Sequence, residues 1–177
     1  MALQKVVPGE GVTVVGLSHA GDTLGYRAFV TDSAHRNTAG ATTECRICYI
    51  DRSSLKHVIE ANPAVAHRFL VQMAGKIDED HALLVTCRTL PVRARLANAL
   101  LVLKDRYASA DEDGCLTFEL PLSRGLLASL VGARPESLSR AIRALEQAGV
   151  AQFRGRTVLV RDLDDLLDEI ENNSNRA

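Results

Sequence analysis

Leu122-Ser123-Arg124-Gly125-Leu126-Leu127-Ala128-Ser129-Leu130-Val131-Gly132-Ala133-Arg134-Pro135-Glu136-Ser137-Leu138-Ser139-Arg140-Ala141-Ile142-Arg143-Ala144-Leu145 reads as two short helices around a tight turn. Ser123 suits an N-cap, because its hydroxyl can accept an orphan backbone N–H, and Leu126, Leu127, Leu130 and Val131 repeat at helical spacing behind it. Gly132 ends that helix. Pro135 lacks a donor and has a fixed φ, both tolerated in a first helical turn, and Glu136 suits the positive end of the helix dipole. At about 100° per residue, Leu138, Ile142 and Leu145 share one face while Glu136, Ser139, Arg140 and Arg143 share the other. For an isolated amphipathic helix a solvated polar face is the simpler account. Following a capped helix and a glycine turn, the same face is what a helix-turn-helix offers to base edges in the major groove.

Charge distribution supports that context. The 177-residue chain has a net charge of −1, which alone argues against nucleic acid as a partner. Between Pro121 and Arg161, however, seven arginines face only Glu136 and Glu146, a local net of +5, and the segment Asp162–Ala177 carries −5. A basic module is masked by an acidic tail. A hydrophobic content of 46% with 24% charged residues fits a globular protein of one large or two small domains. No apolar run is long enough to span a bilayer and no signal-peptide pattern is visible, so the expectation is a cytoplasmic protein with no membrane partner. Four scattered cysteines, Cys45, Cys48, Cys87 and Cys115, do not make a disulfide framework.

Residues 1–56 read as β structure: Val12–Val15, Thr38–Thr43 and Arg46–Ile50 alternate with turns at Pro8–Gly11, Ala20–Asp22 and Thr31–Ser33. This segment is too short to close a barrel or sandwich, which suggests an incomplete domain. From Arg52 the period becomes helical. A short helix covers Ser53–Glu60, and a longer one runs from Pro63 to about Arg88, roughly 39 Å. In it Leu70, Met73, Ile77, Asp80, Leu84 and Cys87 are spaced as a heptad seam. The stripe could pack on its own domain or form a two-stranded dimer helix. In a dimer Asp80 would either meet its symmetry mate, making dimerisation conditional because paired carboxylates resist joint ionisation, or rotate to solvent. Pro91–Tyr107 follows as a helix with Leu96, Leu100 and Leu103 as its stripe, then the loop Ser109–Gly114 and a strand Cys115–Leu120. After the two-helix unit, Gly149–Val160 reads as a hairpin turning at Gly155, with Arg154 and Arg156 at its tip. A basic hairpin there is a wing that can reach phosphate.

This order of parts resembles the Crp/Fnr superfamily of bacterial transcription regulators over about Gly21–Leu167. The specific residues are Leu120–Arg124 through Gly132, Pro135–Arg140 and Gly149-Val150. The fold implied is α+β: a partial cyclic-nucleotide-binding-like β-roll over 1–56, a linker and dimerisation helix over 57–90, and a winged helix-turn-helix over 91–177. Glu136, Ser139 and Arg140 match the Glu-x-x-Ser-Arg pattern of the Fnr branch, whose members read TTGAT-type half-sites. The chemistry agrees, since Arg140 can fork onto guanine, Glu136 can accept from cytosine and Ser139 fits against thymine. Ser123, Arg124, Ser137, Arg143, Arg154 and Arg156 are the expected phosphate contacts; for Arg143 and the wing arginines, plain solvation is an equal reading. The partners implied are double-stranded DNA, a second copy through Leu70, Met73, Ile77, Asp80 and Leu84, and, by resemblance, RNA polymerase.

The sensory half departs from the family pattern. The effector pocket implied would involve Gly25, Tyr26, His35 and Arg36. Tyr26 follows Gly25 where the cyclic-nucleotide branch has a glutamate, and its Arg-Ser pair is replaced by His35-Arg36-Asn37. A cyclic nucleotide is therefore not the expected ligand. Cys48 aligns with the one roll cysteine that helps hold the iron–sulfur cluster of oxygen-sensing members, and one thiolate cannot hold a cluster needing four ligands. A cluster would require cysteines absent from this sequence, so no cofactor is evident. Cys45 and Cys48 are read either as buried structural cysteines or as metal or redox residues. In a strand they would point to opposite faces, unlike a zinc knuckle.

The main rival reading is a truncated paralogue that does not bind DNA and pairs with a complete family member. An enzyme is a distant third: no P-loop or nucleophile–base spacing is visible, and the five histidines do not form H-E-x-x-H.

Overall fold

Backbone pairing at the N-terminus begins with β1 (Ala2–Val7), which lies between β2 (Gly11–Leu17) and β3 (Thr38–Gly40) in an antiparallel sheet of order β2-β1-β3. This is seen in a computed structural model that describes residues 1–9, 11–107, 109–110 and 115–174. Glu10 of the expected turn Pro8–Gly11, residues 111–114 of the expected loop and residues 175–177 of the acidic tail lie outside the described residues. The chain divides into two units, Met1–Leu83 and Leu84–Ala177.

In the first unit, α1 (Tyr26–Val30) interrupts what the sequence suggested was all β structure. It starts at Gly25, whose φ of 81° suits glycine, and its Ala28 is buried. Phe29 meets Phe69 edge to face at 5.8 Å, and the Arg52 guanidinium lies over the Phe29 ring and donates to the Ala28 carbonyl at 2.8 Å. α2 (Arg52–Ala61) begins at Asp51, whose carboxylate accepts the Ser54 N–H at 3.0 Å. The hydroxyls of Ser53 and Ser54 also donate to that carboxylate and, with the Ser54 amide, hold its pKa well below the usual range.

Two β expectations fail here. Only Thr38–Gly40 of Thr38–Thr43 is strand, and Arg46–Ile50 is not strand at all. Alternation and β-branching make a run suitable for a sheet, but a strand exists only where another strand pairs with it, and among the described residues none pairs with 46–50. Ile47, Tyr49 and Ile50 are consequently exposed, as are Cys45 and Cys48. The reading of these two as buried structural cysteines is thereby overturned. Ala2–Val7, missed because Gln4 and Lys5 break its apolar run, is the strand both others pair with.

α3 (Pro63–Thr89) has no buried residue. Leu70, Ile77 and Leu84, one heptad apart, are 62%, 52% and 55% exposed, and Met73 is half-buried. Asp80 is also exposed and lies 3.6 Å from Lys76 Nζ on its own helix, so its charge has a local partner.

The second unit is built around α4 (Val92–Tyr107), whose Ala94, Leu96, Ala97, Leu100 and Leu103 are fully covered by neighbouring elements. β4 (Ser109–Ala110), β5 (Leu116–Glu119), β6 (Gln152–Arg154) and β7 (Thr157–Val160) form a sheet of order β4-β5-β7-β6, with Phe118, Val158 and Val160 buried. Between β5 and β6 lie α5 (Arg124–Leu130) and α6 (Pro135–Gln147). The acidic segment read only as a charged tail is largely α7 (Leu163–Ser174), which packs on α4 through buried Leu166. Asp164 and Asp165 sit at its positive end, and buried Glu169 pairs with Arg93 of α4. The Ser123 cap is present, with the Leu126 N–H donating to Ser123 Oγ at 3.3 Å. Ser123→Ala is expected to lower stability by about 1 kcal/mol, measured by urea unfolding, and no loss would show that the cap contributes nothing.

Candidate nucleic-acid interface

α6 divides as the helical wheel requires. Leu138, Ala141, Ile142 and Leu145 are buried, and Glu136, Ser139, Arg140 and Arg143 are exposed on the other side. Its partner α5 buries Leu127 and Ala128, and the two helices meet at a turn where Gly132 takes a φ of 61°. The exposed face is partly organised in advance. Arg140 donates to Ser137 Oγ at 3.1 Å, which draws the guanidinium along the helix and leaves its other N–H groups free. Ser139 donates its proton to the Pro135 carbonyl at 2.9 Å, so outward it offers only oxygen lone pairs and a methylene. The side chains of Glu136, Arg143 and Arg154 have no hydrogen bond or ion pair among the described residues, while Ser123 spends only its acceptor on the cap.

The hairpin turns at Gly155 as expected, and its attachment to the helices is a feature the sequence did not reveal. Arg124, at the start of α5, lies 5.0 Å over the Phe153 ring and donates to the Gly155 carbonyl at 3.1 Å. The Phe153 N–H donates to Glu146 at 3.2 Å. Arg156 donates to the Leu120 carbonyl at 3.0 Å and lies 3.6 Å from Glu119. Arg124 and Arg156, both expected to contact phosphate, thus hold the wing against the rest of the unit, and Arg154 is the wing arginine that points away from such duties. No local spacing signals these contacts, because each joins residues from different elements.

Elsewhere the structure brings only some of the expected residues together. A Cβ placed on Gly25 would stand 2.7 Å from the His35 ring, so these two are in close approach, whereas Arg36 is exposed. Tyr26 instead belongs to a cluster with α3. Burial, then the charge of Asp80, raise its pKa, with Lys76 opposing. Burial pulls the Lys76 ammonium downward, but its hydrogen bond to Glu79 and the charges of Glu79 and Asp80 outweigh that and leave it raised. Among the described residues no three His, Cys, Asp or Glu side chains are gathered to hold a metal ion. No described helix is long and apolar enough to cross a membrane.

A Crp-like helix-turn-helix domain matches residues 94–169. A protein of Rhizobium leguminosarum bv. viciae, described as a "Probable transcriptional activator", is 30% identical over 167 residues, covering 94% of this chain and 68% of its own length. The transcriptional activator protein FnrL of Cereibacter sphaeroides is 29% identical over 138 residues, covering 76% of this chain and 56% of its own. The chain therefore spans only about half to two thirds of these relatives. A CRP/FNR-family transcriptional regulator from Thermus thermophilus superposes with a TM-score of 0.80 at 21% identity, over 97% of this chain and 84% of that one. These relatives are described as transcriptional activators or regulators. By its Crp-like helix-turn-helix and a regulator 30% identical along 94% of this chain, the chain belongs to the Crp/Fnr family of transcription regulators.

Proposed function

We propose that the protein is a sequence-specific DNA-binding regulator that acts as a homodimer and reads a palindromic, TTGAT-like operator, with Glu136, Ser139 and Arg140 on base edges. The observation that carries this reading is the exposed face of α6: three side chains of complementary hydrogen-bonding type, side by side, on a helix anchored by its opposite face. The unburied apolar seam of α3 supports the dimer, which would set two such helices about one DNA turn apart. Cyclic-nucleotide control is not part of the proposal, because Tyr26 stands where the cyclic-nucleotide branch has a glutamate. The test is binding of the purified chain to a palindromic TTGAT duplex and to a scrambled one across a salt series. Preference for the palindrome at two chains per duplex is expected. Equal binding to both, or binding only after addition of a longer family member, would overturn it.

The wing gives a separate expectation. Arg154→Ala should reduce the magnitude of the salt slope of operator binding by about 2, one phosphate lost per half-site. Arg156→Ala should change the slope little, because its guanidinium is already held by Leu120 and Glu119. Equal slope changes would place both arginines on phosphate.

A further inference from the structure

The turn between α5 and α6 closes in a way that leaves two carbonyls over. The Ala133 N–H returns to the Ala128 carbonyl at 2.9 Å and the Gly132 N–H to the Ser129 carbonyl at 3.0 Å, the bond pair of a Schellman motif with Gly132 in the left-handed position. The carbonyls of Val131 and Gly132 are not used by that motif. Arg95, in the first turn of α4, takes both: its Nη1 donates to Val131 at 2.9 Å and to Gly132 at 3.0 Å. A cation at this place also suits the negative end of α5. The arrangement is tight. A Cβ on Gly132 would stand 3.1 Å from Arg95 Nη1 and 3.5 Å from Cys87 Sγ, while Arg95 Nε is buried with no hydrogen-bond partner among the described residues. The turn is therefore gripped from the first turn of α4, with Cys87 of the last turn of α3 close beside it.

We propose that Arg95 is a positioning residue for DNA reading. By holding both turn carbonyls it fixes the direction in which α6 leaves α5, and so where Glu136, Ser139 and Arg140 meet the groove. The inference rests on the operator reading above.

The test compares the full chain with Arg95→Met, which keeps the aliphatic stem; Arg95→Lys, whose ammonium can donate to both carbonyls; and Gly132→Ala, whose methyl pushes on the guanidinium. For Arg95→Met the ratio of operator to scrambled-duplex affinity is expected to fall about tenfold, with the scrambled-duplex affinity and salt slope unchanged. Arg95→Lys recovers most of the ratio, and Gly132→Ala repeats the loss. Hydrogen exchange at the Gly132 and Ala133 amides, measured without DNA, accelerates in the Met variant and is restored in the Lys variant. A lowered Tm with an unchanged affinity ratio would reduce Arg95 to a stabilising contact. Equal loss on both duplexes with a smaller salt slope would make it a phosphate ligand. If the wild-type chain does not discriminate between duplexes, the operator reading fails, and the exchange result alone then decides whether the grip exists: unchanged exchange overturns it.

Discussion

Ile77→Lys is expected to leave each protomer folded while converting the protein to a monomer that no longer holds its operator. Ile77 is half-exposed near the middle of α3, with Leu70 and Leu84 one heptad to either side, and α3 has no fully buried residue. A lysine there loses no intrachain core contact, so the unfolding midpoint should barely move. In a two-stranded seam the same position would lie against its mate. Burying an isoleucine side chain contributes about 1.5–3 kcal/mol, twice per dimer, so removal weakens association about 10²- to 10⁴-fold before the repulsion of two facing ammonium groups is added. Asp80 does not already impose such a penalty, because Lys76 lies 3.6 Å away on the same helix. Sedimentation equilibrium reads the mass and fluorescence anisotropy reads operator binding. A dimer of unchanged stability would show that the α3 stripe serves some other contact.

What could be read from the sequence was what is encoded at short range. The Ser123 cap, the Gly132 stop, Pro135 in the first turn and the split of α6 into Leu138/Ile142/Leu145 against Glu136/Ser139/Arg140 all depend on residues within one or two turns, and the structure reproduces them. Pairing between distant segments was not readable. Arg46–Ile50 has strand composition but no neighbour to pair with, and Ala2–Val7 has a mixed composition yet pairs on both sides. α7 was concealed by its charge: Asp164 and Asp165 favour a helix start, and only the burial of Leu166 and the Glu169–Arg93 pair show what it packs on. The candidate interface divides along the same line. Its outward residues follow from helical period, whereas the contacts that hold it, Arg124 on Phe153 and Arg95 on the turn, join residues about thirty or more positions apart and leave no local pattern.

Arg140→Ala is expected to cost about 1–3 kcal/mol on the cognate operator half-site and to relax selectivity at one base pair, while duplexes already altered at that pair bind the variant and the wild type alike. The side chain is exposed on the face of α6 opposite its buried anchor, and the Ser137 hydroxyl restrains its guanidinium at 3.1 Å, so part of the entropy of ordering it is lost before DNA arrives. Two consequences separate this role from that of a general cation. Arg140→Lys should not rescue the base preference, because an ammonium cannot present two parallel donors to guanine O6 and N7. Ser137→Ala should weaken the same base preference to a smaller degree, because it frees the guanidinium without removing it. Anisotropy titrations against a set of operators, each altered at one base pair, give both results. A uniform loss across the whole set, recovered by lysine, would move Arg140 from the base edge to the phosphate backbone and leave Glu136 and Ser139 to carry the reading.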